Sequence, residues 1–174
     1  MTKRIFLILC GLTFGFLSSA QVEMTKDEVN KHIEGARSLL NVNYIEDSVD
    51  YHLRNALTGI HAHFDKTSNP EKIWINLKAQ YHYINAKKCM RTFLLKEAAN
   101  EFNEAIKLYE NLNDLKEQAA LLNDLEYCYW YTGDSVLIDN HLRRMISFAR
   151  KDLENEAKAQ ILAALGSYYR KSGK

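Results

Sequence analysis

The chain of 174 residues has one proline and seven glycines. Strand-rich folds need frequent turns, so this scarcity points to long helices joined by short connections. Charge of one sign is not in excess: 23 Lys and Arg face 22 Asp and Glu. A near-neutral balance gives no basic field for nucleic acid and no acidic tail, so neither partner is expected. The longest apolar run, Ile5 to Leu17, is 13 residues and too short to span a bilayer comfortably. Three cysteines occur, with no C-x-x-C, H-E-x-x-H, glycine-rich phosphate loop or nucleophile elbow. No cofactor is expected. The composition, 47% apolar and 26% charged, is that of a globular chain.

Residues 1–20 read as an address. Lys3 and Arg4 precede the apolar run, and Ser18-Ser19-Ala20 places small residues where a signal peptidase cuts. Cleavage after Ala20 would leave 21 cations against 22 anions, net −1. An exported protein, periplasmic or extracellular, is therefore expected. Leu9 before Cys10 is not the small residue that a lipobox wants. In the remainder, 21–174, Cys89 and Cys128 sit among apolar helical positions. They are expected as small buried hydrophobes rather than as a disulfide.

A period of 40 residues organises this part. Ala119, Leu121, Leu122, Leu125, Tyr129 and Thr132-Gly133 align with Ala159, Ile161, Leu162, Leu165, Tyr169 and Ser172-Gly173. Ala79, Tyr81 and Cys89 extend the columns backwards. Phe102, Ala105, Ile106 and Tyr109 repeat 40 residues on as Leu142, Met145, Ile146 and Ala149, and the same spacing stands 49 residues earlier at Leu53, Ala56, Leu57 and Ile60. Each set has helical spacing. Thr25-x-x-Glu28 is a capping box, Asn43-x-x-Glu46 can act likewise, and Asn69-Pro70-Glu71 offers a cap and a first-position proline. Asp114, Asp134 and Asp152 can cap later helices, and Gly133 can end one. Seven helices are predicted: 26–41, 45–63, 70–92, 95–112, 115–132, 135–150 and 153–171.

The pattern resembles the tetratricopeptide repeat family. Leu162, Leu165, Gly166, Tyr169 and Gly173 fit its first-helix half, as do Leu122, Leu125, Tyr129 and Gly133; Ala98, Phe102 and Ala105 fit the second. Ile33, Ala36, Leu40, Val49, Leu53 and Ala56 form a degenerate first copy. Arg37 and Glu126 stand where the family has small residues, and the period is 40 rather than 34. The resemblance implies an all-α, right-handed α-solenoid of antiparallel helix pairs, with repeats at about 26–63, 70–112, 115–150 and an incomplete 153–174. It also implies a concave groove that takes a peptide or protein segment, lined by Tyr83, Lys87, Asn123, Tyr127, Trp130 and Arg170. The family's lysine and asparagine clamp for a terminal carboxylate is not reproduced at the matching places. Longer repeats of this kind look like the exported arrays of bacterial signalling proteins, so a non-catalytic binding scaffold of the cell envelope, the sensor part of a signalling system, is expected.

Two other functions are weighed. Helix 153–171 spreads Ile161, Ala164, Leu165 and Tyr168 around its circumference and is followed by no second helix. A self-associating structural or adaptor protein, joined through that helix, follows from this. Alternatively the helix serves as a cap, with Tyr168 half exposed. His61-Ala62-His63-Phe64-Asp65 resembles a zinc ligand set, which would mean a metal-dependent enzyme. On a helix, however, residues two apart point about 200° apart and cannot share one metal. His82 and His141 are expected at the surface or partly packed, and Lys87-Lys88 and Arg143-Arg144 on solvated faces.

Overall fold

A computed structural model describes residues 23–42 and 44–173. The export signal expected at 1–20 and the cap expected at Asn43 lie outside the described residues. Among the described residues the chain is entirely helical, without strands. Its helices are α1 (Lys26–Asn41), α2 (Glu46–Phe64), α3 (Lys72–Arg91), α4 (Leu95–Leu112), α5 (Leu115–Thr132), α6 (Ser135–Ala149) and α7 (Asn155–Ser172). No described helix is long and apolar enough to cross a membrane.

Local chemistry fixes several of the ends. Thr25 and Glu28 form the reciprocal capping box at α1. Asp114 accepts from the Glu117 amide at α5, and Asp134 from those of Val136 and Leu137 at α6. Gly133 and Gly173 end α5 and α7 in the left-handed conformation, at φ 71° and 68°. Thr132 and Ser172 then each donate to the carbonyl three residues back, Tyr129 and Tyr169. The 40-residue equivalence thus extends to backbone geometry. Two starts differ from expectation. Helix α3 begins at Lys72, because extended Glu71 separates Pro70 from the first turn. Helix α7 begins at Asn155 after an extended Glu154, which leaves Asp152 too far back to cap it.

Packing follows chain order. Helices α1 and α2 pair closely, and so do α3 and α4; α5 meets α4, α6 and α7, and α3 also rests on α1 and α2. Gly35 and Gly59 allow the first pair to approach, since a Cβ at either would collide with His52 or Val29. The core is continuous across α3 to α7 through Ala79, Ala86, Phe102, Ile106, Leu121, Leu125, Met145 and Ile161, while Val29, Ile33, Val49, Leu53, Ile60 and Ile84 fill the N-terminal part. Cys89 and Cys128 are buried and unpaired, and burial pushes the Cys128 thiol up to about 12. They are inert packing groups.

Three side-chain expectations are corrected. In α7 the buried stripe is Ala157, Ile161, Ala164 and Tyr168, whereas Leu162 is 54% and Tyr169 40% exposed. Their counterparts Leu122 and Tyr129 meet His141 of α6, and among the described residues no helix takes that place beside α7. Tyr168, expected half exposed, is instead buried and meets Trp130 edge-on. His141 is also buried rather than superficial. Its Nε2–H donates to the Leu122 carbonyl at 2.9 Å, and its Nδ1 has no partner among the described residues.

Burial lowers the His141 pKa from 6.5 to about 4. The unfolded chain therefore takes up a proton that the folded chain refuses. Stability should be full above about pH 6.5 and fall as pH drops towards 4, with about 2 kcal/mol lost by pH 5 from this group. Urea midpoints at pH 7 and pH 5 should show the loss, and His141→Gln should shrink it.

Candidate functional site

Close helix packing is interrupted at one place. Helix α1 rests on α3, and α5 on α7, but α3 and α5 are not among the closely packed pairs. The space between them is a groove. One part, about 390 Å³, is lined by Arg37, Tyr83, Lys87, Arg91, Phe93 and Tyr127, with Leu40, Ile84 and Met90 as its apolar floor. An adjoining part of about 460 Å³ is lined by Asn76, Gln80, Tyr109, Asp114 and Glu117, and shares Arg37 and Tyr83 with the first. Aromatic rings and alkyl stems thus lie next to charged heads, the mixture found at protein-recognition surfaces.

Three of the sequence-predicted residues meet here. Tyr83 stands at the junction of the two parts, half-buried, with its ring 6.2 Å from that of Phe102. Burial raises its phenol pKa, so it is a neutral donor and acceptor at physiological pH. Lys87 lies one turn further along α3, 5.8 Å from the Tyr83 ring centroid. Its Nζ reaches Asp124 of α5 at 3.2 Å, so an ion pair rather than backbone contact links the two walls. Tyr127, one turn after Asp124, closes the far wall.

The other three lie apart. Trp130 packs into the α5–α7 junction, edge-on to Tyr168 at 6.0 Å. Asn123 and Arg170 are exposed, with no hydrogen bond or ion pair among the described residues. Asn123 shares the helix face of Tyr127, but neither Asn123 nor Arg170 lines the groove. Sequence reasoning missed Arg37, Gln80, Arg91, Phe93 and Glu117. Arg37 carried a signal: a guanidinium stands where the repeat pattern has a small side chain. It spans from Glu34 at 2.8 Å to Gln80 at 2.9 Å, and its Nε is buried without an acceptor.

The groove's ends differ in charge. Lys87 and Arg91 stand towards the α3 C-terminus, and Asp114 and Glu117 towards the α5 N-terminus. Burial, then Asp114, raises the Glu117 pKa. The histidines are dispersed. His63 stacks on Trp74 at 4.1 Å, His61 and Asp65 are exposed, and His82 pairs with Glu101 at 2.6 Å. His32 and His52 meet Nδ1 to Nδ1 at 3.0 Å, a distance for one shared proton. Among the described residues no three His, Cys, Asp or Glu side chains come together in a metal-holding group. Of the basic pairs, Arg143 is exposed with no ion pair among the described residues, while Lys87 meets Asp124, Lys88 meets Asp50 and Arg144 meets Glu110.

Glu126, the other large residue in a small slot, has its carboxylate 7% exposed. Lys171 of α7 reaches it at 3.1 Å, and the Lys171 ammonium lies 5.5 Å from the Trp130 ring and 5.9 Å from that of Tyr131. This clip fixes α7 against α5. A scan against family models matches none, and searches of curated proteins and of solved structures find no match.

Lys171→Met should leave the Glu126 carboxylate buried and unpaired and cost about 2–3 kcal/mol. The double variant Glu126→Leu/Lys171→Met should recover most of that loss. Thermal melts of the four proteins measure the coupling.

Proposed function

We propose that the protein is a non-catalytic binding module built as a short right-handed α-solenoid of the tetratricopeptide kind, which holds an extended peptide or protein segment in the groove between α3 and α5. The observation that carries this reading is the meeting of Tyr83, Lys87 and Tyr127 across a gap that the helix packing leaves open. Successive first helices of pairs rest on each other at α1–α3 and α5–α7, and α5 and α7 end alike, which supports the repeat. The groove offers polar heads and rings along its length but no compact enclosed cavity, which suits a chain segment better than a small molecule. Export to the cell envelope and a place in a sensory system belong to the same reading. They rest on the amino-terminal sequence and on the resemblance.

A second reading, self-association, is favoured by a separate observation. Leu162 and Tyr169 of α7 and Val136 and Leu137 of α6 are exposed, so the last helix presents apolar surface where its counterpart α5 is covered. Sedimentation at micromolar concentration distinguishes the two, since a dimer broken by Leu162→Lys would put the contact there.

For the groove, selection from a random-peptide display library on the purified protein is the test. Enriched peptides should bind with micromolar affinity, and Lys87→Gln/Tyr127→Ala should weaken them at least tenfold while moving Tm by about 3 °C or less. Tyr83 is left intact because it also packs on Phe102. If no peptide is enriched, or the double variant binds them as well, the groove is not the site.

A further inference from the structure

One residue at the groove's rim holds a conformation that its type does not favour. Helix α3 ends in a Schellman turn: the Phe93 amide donates to Met90 and the Leu94 amide to Cys89. The residue at this position must be left-handed, and Phe93 has φ 58°. The equivalent turn after α4 has Asn113 at φ 56°, and those after α5 and α7 have Gly133 and Gly173. Asparagine and glycine take this conformation readily, whereas a side chain with a bulky ring is strained there. Burial does not compensate, for Phe93 is 78% exposed and its ring makes no aromatic or cation contact among the described residues. Strain held at an exposed aromatic rim points to a contact outside the chain.

The surroundings define that contact. Phe93 lines the groove together with Tyr83, Met90 and Tyr127, and Leu94 and Val42 stand exposed on the same and the neighbouring turn. Every charged residue lining this part is a cation: Arg37, Lys87 and Arg91. Lys87 is paired with Asp124 and Arg37 with Glu34, but the Arg37 Nε lacks an acceptor and Arg91 makes no ion pair among the described residues. The Arg91 guanidinium lies 6.0 Å from the Tyr44 ring but meets no anion among the described residues, so its donors call for a carboxylate beside an apolar group.

Resting on the peptide-binding reading above, we propose that Phe93, with Arg91 beside it, is the docking anchor for an acidic extended segment that presents an aromatic or large apolar side chain to this end of the groove. The segment's side chain packs between Phe93 and Met90, and a flanking carboxylate meets Arg91. The acidic end of the groove, at Asp114 and Glu117, disfavours the same carboxylates and so sets the direction in which the segment lies.

The test compares Phe93→Asn and Arg91→Gln with the native protein, using peptides enriched by the library selection. Asparagine occupies the equivalent turn at Asn113, so Phe93→Asn should keep or raise Tm, by up to about 4 °C, while weakening binding at least tenfold. Enriched peptides should pair Asp or Glu with Phe, Tyr, Trp or Leu, and Arg91→Gln should erase the preference for acidic over amide-substituted versions. Peptides that bind through Lys87 and Tyr127 but lack carboxylates, or ignore Phe93→Asn, would overturn this proposal and leave the groove reading standing. A fall in Tm with Phe93→Asn would make Phe93 a structural residue and overturn it too. So would co-sedimentation with anionic vesicles that is lost in Phe93→Asn, which would make the ring a lipid wedge. Failure to enrich any peptide would overturn both.

Discussion

The close crossing of helices at alanine is the constraint on which the rest of the structure depends. Ala79, Ala86, Ala98, Ala105 and Ala119 are wholly buried where α3, α4 and α5 meet. With no side chain beyond Cβ to hold the axes apart, larger neighbours such as Phe102, Ile106 and Leu121 fill the flanks and exclude water. A helix pair packed this way still has an apolar outer face, so it must pack against further helices. Where a small slot is taken by a long charged side chain, the stack changes locally. Arg37 borders the opening between α1, α3 and α5, and Glu126 draws Lys171 across to tie down α7.

The groove is thus a consequence of interrupted packing. Helices α3 and α5 are held in one core by α4, and the Lys87–Asp124 ion pair at 3.2 Å bridges walls that are not otherwise a closely packed pair. A preformed opening of this kind limits the ordering cost of binding to the ligand. Tyr83 is both part of that scaffold and part of the lining, whereas Lys87, Tyr127, Arg91 and Phe93 can change with little effect on the core.

Much of the framework was legible in the sequence because it is set by local chemistry. The capping residues Thr25, Asp114 and Asp134 and the stop at Gly133 act within four residues of the chain, and helix periodicity marked the buried faces of α1 to α5. The departures arise where distant neighbours decide. A shift of 40 residues transfers the helical phase of α5 to α7 but not the neighbours, so Leu122 is buried and Leu162 exposed. His141 looked isolated because the Leu122 carbonyl that receives it lies 19 residues away in sequence. The site was legible in part. Tyr83, Lys87 and Tyr127 followed from the concave face that the family resemblance implies, while Trp130 is drawn away by Tyr168. Phe93 gave no signal, since sequence reading expects glycine or asparagine at a left-handed turn.

Native-state hydrogen exchange, resolved by helix, tests most directly whether paired helices stack from a central alanine-lined crossing. Stability in such a stack is shared between neighbours and is lowest at the ends. Amides of α4 and the buried faces of α3 and α5 should exchange last, through global unfolding, while α7 opens earlier and α1 with α2 opens as a unit. Equal protection throughout, or an α4 that exchanges before α7, would contradict a stack organised around that crossing.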